Sequence, residues 1–465
     1  MKKHYTAGFA LLLAAAATMT GCGIIETVDT AGSLAVESAT GSTPVIGTDD
    51  SSTHTPEQPQ PTAEMLCEQL KAYDTALILS PAMLTWCADY TKDATLLTRI
   101  QTHITEKGFQ DADWYSLTGM TVKVTNDLYS GAAETQSNIH ILEGDGKEGI
   151  TFTFGGDISL ADNWHTMQYL KTTTGGITDC ISPFLIQKMV AADITTLNNE
   201  FCFSDRGTAM AGKAWTFRAA TANVSVYHQL GVDIVDLANN HVYDFGNDAF
   251  LDTLDTLKGA SIEYMGAGKD IEEASRPVYY IVEGKKIAYV AATRAEKHIL
   301  TPAATETTAG VLRCYDPAAF IGVIEEAKQN ADFVIANVHW GTENSHGLED
   351  VQPETAYQYI DAGADLIIGT HAHCLQGFEY YKNVPIAYNL GNYWFSHYDI
   401  DTGLLEVTLS PDDALELVFY PATQRNCKTT YVGGEAEGER ILQALRSYSV
   451  NVNIDANGII TQKAD

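Results

Sequence analysis

The feature that most restricts this chain is a series of short apolar runs, several of them followed by residues able to bind metals. The runs lie at residues 150–154, 232–237, 287–292, 333–338, 366–368 and 385–390, and between several of them come stretches with helical spacing, such as 248–257 and 317–329. A short uninterrupted apolar run suits a strand buried on both faces, whereas a half-exposed strand alternates apolar and polar residues. Buried strands separated by helices predict a layered α/β domain.

The residues just after each run matter more than the run itself. The first leads into Gly155-Gly156-Asp157, and residues 193–197 lead into Asn198-Asn199-Glu200. Residues 232–237 precede Ala238-Asn239-Asn240-His241, residues 333–337 precede His339-Trp340-Gly341, and 366–368 precede Gly369-Thr370-His371-Ala372-His373. In open α/β sheets the ligand site lies just beyond the carboxyl ends of the strands. Separate segments would thus deliver an Asp, a Glu, an Asn and four His to one edge. The set mixes nitrogen and oxygen donors without thiolate, which suits Mn, Zn or Fe better than Ca or Mg. A single histidine after a strand is most often a satisfied structural residue. Five such ends together predict a metal site.

The ordered string Gly-Asp, Asn-Xaa-Glu, Ala-Asn-Asn-His with Asp244 and Gly246, His-Trp-Gly, Gly-Thr-His-Ala-His and Asn389-Leu390-Gly391-Asn392 resembles the CapA (poly-γ-glutamate capsule biosynthesis) family, over residues 150–421. That family is similar to the calcineurin-like metallophosphoesterases, so the resemblance implies a four-layer α-β-β-α sandwich of two mixed sheets holding one or two divalent ions. It implies that Asp157 is the first carboxylate ligand, Glu200 the carboxylate shared between ions, and Asn240 the amide ligand. His339 and His371 would complete one ion's shell, while His373 faces the other. His241 would protonate a leaving group or steady the transition state, with Asp244 orienting it.

Two departures stand out. The phosphoesterase pattern opens Asp-Xaa-His, but Asp157 is followed by Ile158 and Ser159, so one imidazole is missing; Glu200 stands where Asp is usual. One ion is then held less firmly. His165 is a candidate replacement ligand, weighed against an ordinary loop residue.

After Glu200 comes a loop carrying Arg206, Lys213 and Arg218, interleaved with Trp215 and Phe217. One reading is a cradle for carboxylate or phosphate. The other is a solvated loop paired with Asp205 and nearby acids. Tyr393, Trp394, Phe395 and His397 either line the cleft or pack in the core.

The N-terminus carries its own signal. Lys2 and Lys3 precede an apolar run at 9–17 that is too short to span a bilayer, followed by Met19-Thr20-Gly21-Cys22. This resembles a lipobox with Met in place of Leu, so residues 1–21 read as a lipoprotein signal peptide and Cys22 as the lipidated residue. Residues 22–63, rich in Ser, Thr, Gly, Pro and Ala, read as a flexible tether. Residues 64–148 read as a small helical cap or accessory region, 149–425 as the main domain and 426–465 as a C-terminal extension. Cys67 with Cys87, or Cys180 with Cys202, are disulfide candidates in an oxidising exterior. A neutral packing role is expected of Cys374.

These features predict an exported lipoprotein at the cell surface, anchored in the membrane by its lipid. The formal net charge of −32 argues against nucleic acid as a partner. The leading function is synthesis or processing of poly-γ-glutamate or another anionic polymer, beside its membrane synthase complex, with a metal-dependent hydrolase-like site. The alternatives are a secreted phosphoesterase acting on nucleotides or envelope phosphates, and a non-catalytic polymer-binding scaffold.

Overall fold

The computed structural model of the protein describes residues 138–142, 149–283, 285–295 and 300–463. The expected signal peptide and tether, Cys22, Cys67, Cys87 and most of the expected cap lie outside the described residues.

Two mixed sheets form the centre. The first has seven strands in the spatial order Ile139–Ile141, Val278–Val282, Lys285–Thr293, Phe333–Trp340, Leu366–His371, Val384–Ala387 and Phe378–Tyr381. Its four middle strands, from Lys285–Thr293 to Val384–Ala387, run parallel. In the second, Ile150–Ile158, Ile194–Asn199, Ile234–Asp236 and Glu263–Met265 are parallel neighbours. Ile400–Leu409 and Leu415–Arg425 continue that sheet antiparallel on its other side.

Strand period two explains the layering. Along Lys285–Thr293, Ile287, Tyr289 and Ala291 enter a core shared with Ile150, Phe152 and Phe154 of the other sheet. Their neighbours Ala288, Val290 and Ala292 face outward against Phe320, Ile324 and Tyr359 on the helices Ala318–Asn330 and Val351–Asp361. The second sheet turns Leu197 and Val235 toward Leu185, Tyr227 and Phe250 on the helices Pro183–Ala191, Ser225–Leu230 and Asn247–Gly259. The result is helix, sheet, sheet, helix: the layered α/β domain that the apolar runs predict, in the four-layer form that the resemblance implies. Among the described residues no helix is long and apolar enough to cross a membrane.

Two expected boundaries move. Residues 426–465, expected as an extension, are built into the second sheet: Lys428–Tyr431 and Ile459–Gln462 both pair with Leu415–Arg425. Ile441, Leu442 and Leu445 of the helix Ala436–Tyr448 complete the core between the sheets. At the other end, Ile139–Ile141 falls inside the expected cap yet pairs in parallel with Val278–Val282. Short polar-flanked strands at a sheet edge carry too weak a pattern to be separated from loops by sequence.

Candidate metal centre

Close backbone approach sets the site. A Cβ on Gly156 would lie 1.7 Å from the Gly391 carbonyl oxygen, and one on Gly369 would lie 1.9 Å from that of Tyr388. Only glycine lets the segment 388–391 cross these strand ends, where the Asp157 N–H donates to the Gly391 carbonyl at 2.8 Å. Beyond Gly369, His371 and His373 have φ of 94° and 55°. Left-handed backbone at a non-glycine residue costs about 1–3 kcal/mol and persists where surrounding structure enforces it, often at functional sites.

Two ligand sets meet there. Glu200, His339 and His371 offer donor atoms within 4.8 Å of one another, as do Asp157, Glu200 and His373, so Glu200 belongs to both. Its Oε1 lies 3.6 Å from His339 Nε2, 3.7 Å from His373 Nε2 and 4.0 Å from His241 Nε2. Glu200 is fully buried, and neither Oε1 nor His371 Nδ1 has a hydrogen-bond partner. Leaving such groups unpaired is costly, and a cation among them would satisfy both. The residues therefore fit a divalent ion.

Hydrogen bonds hold the candidate ligands in place. Asn198 Nδ2 donates to Asp157 Oδ1 at 2.8 Å, and Thr370 Oγ1 lies 2.9 Å from His339 Nδ1. His373 Nδ1 is 2.7 Å from Asn392 Oδ1 and 3.0 Å from Asp157 Oδ2, which leaves its Nε2 facing Glu200. Asn240 Oδ1 sits 2.8 Å from His339 Nε2. That Asn240 contact lies on the Glu200 side, among the donors themselves, whereas Thr370 and Asn392 touch the Nδ1 atoms and so fix the tautomer and orientation of each ligating imidazole. Beside this cluster, His241 Nδ1 is 2.7 Å from Asp244 Oδ2, which also accepts the Phe217 N–H at 2.7 Å. Asp244 Oδ1 pairs with Lys213 Nζ at 2.7 Å, and Lys213 also donates to the Asn240 carbonyl.

Burial, and then Asp157, push the Glu200 carboxyl well above its usual range. Burial and neighbouring histidines hold His339 and His371 well below theirs, which keeps both as neutral donors. His373 is the exception: burial pulls it down, but Glu200 and Asp157 raise it to about 10. His241 is lowered by burial, with Asp244 opposing.

The structure brings together Asp157, Glu200, Asn240, His241, Asp244, His339, His371, His373 and Lys213. Arg206 is not among them; it forks onto Asp252 and reaches Asp248, two acids one turn apart on the helix Asn247–Gly259. Arg218 donates to the Arg206 and Gly207 carbonyls and covers the Phe245 ring. Of the three loop cations only Lys213 reaches the cluster, where it pairs with Asp244, and Arg206 pairs with nearby acids as the second of the two readings has it. The His165 ring lies 4.0 Å from that of His397, tilted by 55°, and is in neither ligand set. Tyr393 and Trp394 are core residues, while Phe395 borders the site, 4.9 Å from the His373 ring. Cys180 and Cys202 are free buried thiols rather than a disulfide, and Cys374 is a third. Sequence reasoning missed the supporting roles of Asn198, Thr370 and Asn392. Asn198 was legible in principle, two residues before Glu200 and hence on the same face.

Fold and cluster together define a class: a two-sheet α/β sandwich with buried carboxylates and imidazoles gathered at its strand ends, suited to a divalent cation. Comparison with known proteins specifies the family. The chain belongs to the bacterial capsule synthesis protein family PGA_cap, which matches residues 151–397. It is 35% identical over 181 residues to the capsule biosynthesis protein CapA of Bacillus anthracis, covering 38% of this chain and 43% of that one. It is 36% identical over 174 residues to the PGA biosynthesis protein CapA of Bacillus subtilis (strain 168), covering 37% and 45%. The matches thus span less than half the length of either relative. Among solved structures, a putative 5'-nucleotidase from Staphylococcus aureus in complex with alpha-ketoglutarate gives a TM-score of 0.37 at 14% identity, covering 64% of this chain and 58% of that one. That likeness is too distant to carry an argument.

Proposed function

We propose that the protein acts at the cell surface in making or processing a capsular polymer of the poly-γ-glutamate type, through a metal-dependent hydrolytic centre. Membership of the capsule synthesis family and the names of both CapA relatives support the polymer. The observation that carries the chemistry is Glu200 Oε1, buried without a hydrogen-bond partner and facing three imidazoles. Asp157, Glu200, Asn240, His339, His371 and His373 would hold one or two ions of Mn, Zn or Fe. When bound, such an ion supplies Lewis acidity and lowers the pKa of water toward neutrality.

The chain's own groups then move the proton. With its pKa lowered by burial, His241 rests neutral, its Nδ1–H donated to Asp244 and its Nε2 lone pair turned toward the Glu200 edge. It first accepts at Nε2 a proton from the water that adds to the scissile carbonyl and then passes it to the leaving nitrogen as the C–N bond breaks, so the general-acid role is its second task. Lys213 neutralises the outer oxygen of Asp244 and steadies that carboxylate.

The test is shortening of poly-γ-glutamate on gels by the purified full chain with Mn. Activity abolished by chelator, and reduced about 10²–10⁴-fold in His241→Ala, is the expected result. No shortening with Mn, Zn or Fe overturns the hydrolase reading. Polymer binding retained in His241→Ala without any turnover favours a scaffold. A secreted phosphoesterase is the second reading, favoured by the sharing of Glu200 between two ligand sets, since paired ions are a common device for phosphate esters. Turnover of an aryl phosphate diester in place of the polymer would establish it. The proposal includes a lipid anchor at Cys22, tested by Cys22→Ser, which should release the protein from membranes and abolish fatty-acid labelling.

A further inference from the structure

A path of aromatic rings leads from the metal centre to the surface. Phe217 lies 4.6 Å from the His241 ring and Phe395 lies 4.9 Å from the His373 ring. Trp164 packs edge-on against Phe217 at 4.8 Å and against Trp215 at 5.6 Å. Trp215 is 59% exposed. Nearby, the His165 ring meets that of His397 at 4.0 Å, tilted by 55°, and the His397 ring lies 4.5 Å from that of Tyr398, itself 55% exposed. Only four large hydrophobic residues among those described are exposed, and two of them are Trp215 and Tyr398. Exposed aromatic faces are costly to maintain in water, and their concentration beside a site points to a ligand.

We propose that these exposed rings form a subsite for the pyranose rings of a glycan, one stacked on Trp215 and one on Tyr398, hydrogen-bonded by the edges of His165 and His397. Three observations select that chemistry. The rings interlock at 64–68° around Trp164, so they offer no parallel pair to sandwich a planar base. A sugar ring instead needs one open aromatic face with polar groups at its rim. His165 and His397 supply that rim, both being exposed and making no side-chain hydrogen bond to the described residues. The loop cations are already committed: Arg206, Lys213 and Arg218 are engaged with Asp252, Asp244 and backbone carbonyls, so none of the three is left over to pair with an anionic group stacked on Trp215. The subsite is also coupled to the chemistry, because Trp215 is flanked by Lys213 and Phe217, both held by Asp244, the partner of His241.

Binding is read without turnover, so this inference stands or falls apart from the hydrolase reading. The full chain in detergent and chelator is titrated with maltohexaose, cellohexaose and chitohexaose, with AMP and poly-γ-glutamate as comparators, by calorimetry and tryptophan fluorescence. Binding of at least one hexasaccharide, weakened about 5–10-fold in Trp215→Ala and in Tyr398→Ala with unchanged circular dichroism, is expected. The idea is overturned if none of the three sugars binds, if binding ignores both substitutions, or if AMP or poly-γ-glutamate is the ligand whose affinity depends on Trp215.

Discussion

Replacing Glu200 with glutamine should stabilise the metal-free protein and remove its response to metal. The carboxylate is fully buried, its Oε1 has no hydrogen-bond partner, and its Oε2 has only a long contact of 3.4 Å from Asn198. Around it, Asp157 pairs with His373 and Asp244 with Lys213, so a charge on Glu200 would have no cation of its own to balance it. Glutamine preserves the shape without that charge. The sign comes from linkage: a carboxyl raised by burial and Asp157 binds its proton more tightly folded than unfolded, so stability falls as pH rises past the ordinary carboxylate range. At pH 7 that cost is present in the wild type and absent in the variant. Relief of a buried uncompensated charge is worth about 1–3 kcal/mol, or roughly 2–5 °C in Tm for a domain of this size. Metal reverses the order. At a free ion concentration about 100 times Kd the wild type gains about 2.7 kcal/mol, and the variant, lacking the shared ligand, should gain little. Thermal melts in chelator and in Mn measure both arms. A variant less stable in chelator, together with equal Mn shifts for both proteins, would refute the role given to Glu200.

Asp244→Asn should lower turnover about 10–100-fold with little change in KM, since Asp244 positions His241 from behind. The acid limb of its pH profile should move to lower pH, because Asp244 favours the protonated imidazole; an unmoved limb makes the role merely structural. In Gly369→Ala the new Cβ would meet the Tyr388 carbonyl at 1.9 Å and Trp340 Nε1 at 2.6 Å. A loss of at least roughly 3 kcal/mol is expected, and a melt within about 1 °C of wild type would contradict so close an approach. Glu273 tests the fold away from the site: burial opposes its charge, but Lys258, the Lys269 amide and Tyr264 outweigh this and hold it at about 2. Its stabilisation is complete above the ordinary carboxylate pKa and is lost as pH falls through about 2. Glu273→Gln should therefore cost about 2 kcal/mol in urea unfolding at pH 7, with the gap narrowing from about pH 5 to about pH 3; a pH-independent gap would show that charge is not its source.

Much of the centre was legible because parallel strands impose a shared geometry. Once the runs before Asp157, Glu200, His241, His339 and His371 are read as parallel strands, their carboxyl ends fall along common sheet edges, and the residue types there name the donors. The loop cations were not legible in this way. Arg206 finds Asp248 and Asp252 only because their helix packs beside the loop, and nothing in the local sequence distinguishes that pairing from one with Asp205.

By itself, the sequence determined a layered α/β domain and the donor chemistry of the strand ends, since apolar periodicity and residue type are local properties; the four-layer form entered only through the family resemblance. Tertiary structure alone decided that Glu200 faces both ligand sets, that Lys213 rather than Arg206 or Arg218 reaches Asp244, and that the last forty residues complete the second sheet and the core. Those outcomes depend on distances between residues far apart in the chain, and such distances are set by packing, to which no single segment holds the key.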